Sequence, residues 1–148
     1  MKQKVSEKTN LNGKGVKVGM VISEFNFDIG SDLLKSTLNE LDKLKVEDAF
    51  IMQVPGALEI PFATQKLILK NEYDVIIALG IVIKGETDHY KHVTENCARA
   101  LTDLSVKYEI PIIQGVIGAP NTKIAKERIF RGKEYARSAI KMAQLINY

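Results

Sequence analysis

Four runs of apolar, largely β-branched residues constrain this chain more than any other feature. They are Val16 to Ser23, Ala49 to Val54, Val75 to Ile83 and Ile110 to Ile117. Three of them are nearly continuous rather than alternating. A strand with one face in water alternates polar and apolar residues, so a continuous run predicts cover on both faces, as in a parallel sheet. Helical spacing fills the intervals. Leu34, Leu38 and Leu41 mark one helix, with Asp28 or Ser31 expected as its N-cap. Ile60, Ala63 and Leu67 mark a second, with Pro61 tolerated in the first turn. Val93, Cys97, Ala100, Leu101 and Leu104 mark a long third helix. Beyond Asn121 the pattern stays helical almost to the end. Ala136, Ile140, Ala143 and Ile146 share a face there, and Gly132 is expected to divide the region into two helices. The order β-α-β-α-β-α-β-α-α predicts a three-layer α/β/α domain, with helices on both faces of a four-stranded parallel sheet.

A chain of 148 residues suits one domain with a real core. Residues 1–14 are Lys-rich and aperiodic and are expected to form a flexible arm, which leaves 15–148 as the domain. The 21 basic and 18 acidic residues are interleaved, and the net charge is only +3. That lacks the basic stripe of a nucleic-acid binder. No run approaches the roughly 20 apolar residues of a membrane span, and no stretch has signal-peptide character. A lone cysteine, Cys97, cannot form an internal disulfide, and the expected compartment is the cytoplasm. Cys97 falls in the apolar stripe of the third helix and reads as core rather than nucleophile.

In open α/β sheets, ligands bind outside the carboxyl ends of the strands. Each expected strand runs there into an unusual loop: Ser23-Glu24-Phe25-Asn26, then Val54-Pro55-Gly56-Ala57-Leu58-Glu59, then Lys84-Gly85-Glu86-Thr87-Asp88-His89, then Gly118-Ala119-Pro120-Asn121. Parallel topology gathers all four at one edge. The third is the richest. Gly85 allows close backbone approach, Thr87 is a good N-cap, and amides at a helix N-terminus attract anions. Lys84 adds positive charge. His89 lies in the first helical turn and can exchange protons near neutral pH. The segment is either a phosphate cradle beside a proton shuttle or a capped helix with a surface histidine. These residues alone do not choose.

The other candidates also carry two readings. Phe25 could stack on a planar ring or fold into the core. Glu59 could complement a helix dipole or accept hydrogen bonds from a polyol. Arg128 could be a solvated charge or a bidentate phosphate clamp. His89 and His92 share a helix face with Glu95 a turn on, but no further cluster completes a metal site, and none is expected. Neither G-x-x-x-x-G-K-[ST] nor G-x-G-x-x-G follows the first strand, so nucleoside-triphosphate and dinucleotide chemistry lack their usual marks.

In combination these segments resemble lumazine synthase, the penultimate enzyme of riboflavin biosynthesis. The resemblance is carried by Val54-Pro55-Gly56-Ala57-Leu58-Glu59-Ile60-Pro61, by Val82-Ile83-Lys84-Gly85-Glu86-Thr87-Asp88-His89, by Phe25-Asn26 and by Ala125-Lys126-Glu127-Arg128. It runs from about Val16 to Leu145 and implies a flavodoxin-like winding of the sheet. It also implies a reaction: 5-amino-6-(D-ribitylamino)uracil condenses with 3,4-dihydroxy-2-butanone 4-phosphate. The products are 6,7-dimethyl-8-ribityllumazine, phosphate and water, and no cofactor or metal is used. By the same resemblance, Phe25 stacks on the pyrimidine. Ala57, Leu58 and Glu59 hold the ribityl chain, and the backbone of Ile81, Val82 and Ile83 reads the pyrimidine edge. Gly85, Glu86 and Thr87 bind the phosphate, and His89 transfers protons. Arg128 meets the phosphate from a neighbouring subunit of a homopentamer, free or built into a larger shell.

Some positions depart from the family pattern. Gln114 stands where many members place an aromatic that covers the pyrimidine from the adjacent subunit. Glu24 stands where arginine is frequent, Gly118-Ala119-Pro120-Asn121 replaces a Thr-containing turn, and the link between the last two helices is short. These mark a divergent branch. The competing expectations are a related riboflavin synthase, which would have no use for the Gly85-Glu86-Thr87 loop with His89, a flavin- or phosphate-binding module without turnover, and a shell protein that has lost catalysis.

Overall fold

The computed structural model describes residues 1–4, 10–85 and 89–145. Among these residues, four strands and five helices follow in the expected order: β1 (Val18–Ser23), α1 (Phe27–Lys43), β2 (Ala49–Val54), α2 (Ile60–Leu69), β3 (Val75–Ile83), α3 (His89–Tyr108), β4 (Ile112–Ala119), α4 (Thr122–Glu127) and α5 (Arg131–Gln144). A single 3₁₀ turn, Ala57–Glu59, leads into α2. All strand pairs are parallel and the sheet order is β2-β1-β3-β4.

The order reverses direction at β1. The chain steps one way from β1 to β2, then back across β1 to β3 and on to β4. Right-handed crossovers then put α1 on one face and α2 with α3 on the other. Side-chain alternation along β1 and β3 serves both faces. Met20, Ile22, Ile77, Leu79 and Ile81 pack with Ile29, Leu33 and Leu41 of α1 and with Ala136 and Ile140 of α5. Val21, Ile76 and Ala78 pack with Ile60, Ala63 and Leu67 of α2 and with Cys97 and Leu101 of α3. Double-sided burial explains the continuous apolar runs. Truncating one such residue, Ile77→Ala for instance, costs about 2–5 kcal/mol.

Three details differ from the sequence expectation. Strand β1 starts at Val18 because the Lys17 amide donates to the Asp74 carboxylate at 2.8 Å. Strand β4 starts after Pro111, which has no N–H to donate, and extends to Ala119. Neither Asp28 nor Ser31 caps α1. The N-cap is Asn26, Asp28 lies in the first turn, and Ser31 Oγ donates to the Asp28 carbonyl.

Gly132 does not divide the last helices either. It lies inside the first turn of α5, and the break falls at residues 128–130, a run of short i→i+3 turns. A Cβ at Gly132 would lie 2.8 Å from Ser36 Cβ and 2.9 Å from the Leu33 carbonyl. This glycine lets α5 seat closely on α1. Ile146 lies outside the described residues.

Candidate active site

Strand β1 pairs with β3 only as far as Ile22 opposite Leu79. Strand β3 continues beside β4 to Ile83, opposite Ala119. The last residues of β3 therefore overhang the end of β1, at the point where strand order reverses. Ligands of open α/β sheets bind at such switch points. A cavity of about 490 Å³ opens there, lined by Phe25, Asn26, Gly56, Ala57, Leu58, Glu59, Ile81, Val82, Ile83, Gly85, His89, Tyr90 and Val93. Its volume suits a small organic ligand.

Three loops build the walls. After β1, the Glu24 amide donates to the Val54 carbonyl at 2.8 Å and ties the turn to the end of β2. Asn26 then takes a left-handed conformation with φ 56°, and the ring of Phe25 is left 71% exposed at the cavity rim. That excludes the core reading of Phe25. After β2, Gly56 forms a floor between two functional groups. A Cβ there would lie 3.2 Å from Glu59 Oε1 and 3.9 Å from Phe25 Cδ2. Glu59 immediately precedes α2, so its carboxylate sits at a helix N-terminus, which favours negative charge. Ala57 is buried under the loop, and Leu58 is exposed above it.

The third wall is the start of α3. His89 is its first residue and is exposed to the cavity, with Tyr90 and Val93 following on the same helix. Gly118 allows α3 to lie close over the end of β4, since a Cβ there would come within 3.1 Å of Thr94 Cγ2. Lys84 is exposed, and its amide donates to the Ala119 carbonyl at 2.9 Å. Glu86 and Thr87, with Asp88, lie outside the described residues. Of the expected phosphate loop, only Lys84, Gly85 and His89 can be placed.

Gln114 and Arg128 stand apart from the cavity of their own chain. Gln114 lies in β4 opposite Ala78, and its Nε2 donates to Thr102 Oγ1 of α3 at 2.9 Å. Arg128 caps the C-terminus of α4 rather than lying within a helix, and its Nη1 donates to the Gly118 carbonyl at 2.6 Å. It lies near Tyr135, together with Arg131 and Glu134. Burial pushes the Tyr135 phenol above its usual value, against the opposing pull of Arg131 and, more weakly, Arg128. Burial likewise raises the Cys97 thiol to about 11, as expected of a core cysteine. Among the described residues, no three His, Cys, Asp or Glu side chains converge as metal ligands. No helix among them is long and apolar enough to cross a membrane.

Four residues of the cavity were not singled out as site residues from the sequence: Asn26, Gly56, Tyr90 and Val93. Asn26 and Gly56 were visible as neighbours of Phe25 and Glu59. Tyr90 and Val93 follow His89 at positions that a helix turns toward the same end of the sheet.

A cavity at the switch point of a parallel sheet, ringed by an exposed aromatic face, a carboxylate and an imidazole, marks the chain as a small α/β protein with a site for an organic ligand. Its relatives give the class a name. A family model for 6,7-dimethyl-8-ribityllumazine synthase matches residues 15–147. The 6,7-dimethyl-8-ribityllumazine synthase of Nitrosomonas europaea is 43% identical over 141 residues, covering 93% of this chain and 86% of the relative. That of Picrophilus torridus is 39% identical over 132 residues, covering 88% and 97%. That of Cupriavidus necator is 36% identical over 141 residues, covering 93% and 85%. The chain belongs to the 6,7-dimethyl-8-ribityllumazine synthase family.

Proposed function

We propose that the chain condenses 5-amino-6-(D-ribitylamino)uracil with 3,4-dihydroxy-2-butanone 4-phosphate to give 6,7-dimethyl-8-ribityllumazine, phosphate and water. The observation that carries this is the meeting of Phe25, Glu59, Ile81–Ile83 and His89 around one cavity in a chain of this family. Phe25 offers its exposed ring to the pyrimidine. Glu59 accepts from the ribityl hydroxyls beside Ala57 and Leu58. Gly85, with Glu86 and Thr87, holds the phosphate.

The chemistry asks little of the protein beyond placement and proton transfer. An amine and a ketone condense to an imine with loss of water, phosphate leaves, and ring closure releases a second water. Holding the two substrates in register can be worth about 7–11 kcal/mol at best. His89, at the cavity wall, moves the protons, and a cationic group stabilises the departing phosphate.

That cation is Arg128, supplied by a neighbouring copy. Two observations support a shared site. Arg128 and Gln114 lie outside the cavity of their own chain, while Phe25 and Leu58 stand more than half exposed at its rim. We infer a homopentamer, alone or built into a larger shell, acting in the cytoplasm on small-molecule substrates without a cofactor.

The test supplies both substrates to the purified protein and follows lumazine by absorbance, phosphate release, and mass in solution. Lumazine formed by a pentamer or a multiple of it supports the reading. An assembled protein that binds the pyrimidine yet yields no lumazine contradicts it.

A further inference from the structure

Asn26 occupies the N-cap of α1 without doing what an N-cap asparagine usually does. Such a side chain normally accepts a hydrogen bond from an amide of the first helical turn. Here it makes no capping bond. The amides of Ile29 and Gly30 are met instead by the Asn26 backbone carbonyl, at 3.0 and 2.9 Å. The Asn26 side chain reaches across the sheet, and its Nδ2 donates to the Ile81 carbonyl at 3.1 Å. Glycine would adopt the left-handed backbone of this position more readily than asparagine. The cross-sheet bond is what asparagine adds.

The register explains why the Ile81 carbonyl needs that bond. Successive residues of a strand direct their backbone groups to opposite neighbours. The amides of Ile76 and Lys84 donate toward β4, to the carbonyls of Pro111 and Ala119. Ile77, Leu79, Ile81 and Ile83 therefore face β1. Pairing with β1 stops at Leu79, so Ile81 is the first β1-facing residue beyond the end of the ladder. The Asn26 carboxamide stands where the next strand residue would have been. Ile83, the next residue facing that way, lines the cavity.

We infer that Asn26 is a positioning residue. It fixes the fork between β1 and β3, and so sets the separation between the Phe25 ring and the backbone edge of Ile81–Ile83. A planar heterocycle stacked on the ring then meets the strand edge in register. The inference rests on the reading of this cavity as the pyrimidine site, and it adds a residue to which no role in that reading falls.

Two variants test it, Asn26→Gly and Asn26→Asp, through kcat, the KM of each substrate and the melting temperature. Gly keeps the backbone turn and removes the donor. It should raise the pyrimidine KM about tenfold through the loosened fork, with the butanone-phosphate KM unchanged and the melting temperature lowered by only a few degrees, the cost of one carbonyl left without its partner. Asp also tolerates the turn but sets a carboxylate oxygen against the Ile81 carbonyl, and should raise the pyrimidine KM further. A Gly variant that matches the wild type in pyrimidine KM would show that Asn26 serves only the turn, and overturns the inference. So does a parallel rise in both KM values. An inactive wild type overturns the functional reading and this inference together, whereas an active wild type with unaffected variants sinks this inference alone.

Discussion

Replacing Phe25 by alanine separates function from stability, because the residue is exposed at the cavity rim. The ring is 71% exposed, so only about three-tenths of it leaves water on folding. Full burial of a phenylalanine is worth about 1.5–3 kcal/mol. The folding cost of Phe25→Ala is therefore below about 1 kcal/mol. For a chain of this size that lowers the melting temperature by no more than roughly 2–4 °C. Stacking of an aromatic side chain on a heterocyclic base is worth about 1–3 kcal/mol. Its loss corresponds to a roughly 5- to 150-fold rise in the pyrimidine KM. A thermal melt and steady-state kinetics with each substrate varied in turn measure both effects. The account expects a near-native melt, a large rise in pyrimidine KM and little change for the butanone phosphate. An unchanged pyrimidine KM would refute the stacking role, and a melting temperature lowered by tens of degrees would refute the exposed placement of the ring.

Other substitutions address the remaining parts of the account. His89→Ala should slow turnover by about 10²–10⁴-fold while the protein assembles normally, since one proton-transfer group contributes on that scale; a normal rate removes His89 from the mechanism. Gly132→Val forces a side chain into contact with Ser36 and the Leu33 carbonyl, and overpacking of this kind costs about 1–3 kcal/mol. Its melting temperature should fall by several degrees, and a stabilised variant would show that α1 and α5 are not close-packed there. The Cys97 thiol, raised by burial from 9.0 to about 11, should resist alkylation at pH 8 until the protein is unfolded. The thiol is neutral in the fold above the pH at which the unfolded chain ionises, so its contribution favours folding below pH 9 and is lost as pH rises through about 11. Rapid native labelling at pH 8 would contradict its burial.

The sheet was legible in the sequence because burial on both faces writes itself as continuous apolar runs. The helical spacing between the runs then implied cover on both faces of a parallel sheet, while its winding was implied by the family resemblance. Boundaries were harder where a hydrogen bond or a proline decides them, as Asp74 does at Lys17 and Pro111 does at β4. Gly132 misled because intrinsic propensity marks glycine as a helix breaker. The close approach of Ser36, which no local pattern reveals, is what calls for glycine there. The loops at the carboxyl ends could be named from spacing and topology, and residues of three of the four do meet around one cavity, whereas Gly118 to Asn121, expected with them, does not line it. The hydrogen bond from the Asn26 side chain could not be read, because its partner Ile81 lies 55 residues away. Gln114 and Arg128 had roles from the family resemblance alone, and both lie outside the cavity of their own chain.

A site shared between copies is the central claim, and mixing two inactive variants tests it most directly. His89→Ala keeps Arg128, and Arg128→Ala keeps His89. In a ring of head-to-tail contacts assembled from equal amounts of both, about a quarter of the interfaces join an intact cavity to an intact Arg128. The account predicts that co-assembled variants regain roughly that fraction of wild-type lumazine formation, although each alone is nearly inactive. Co-assembly with activity no greater than the sum of the separate variants would contradict it.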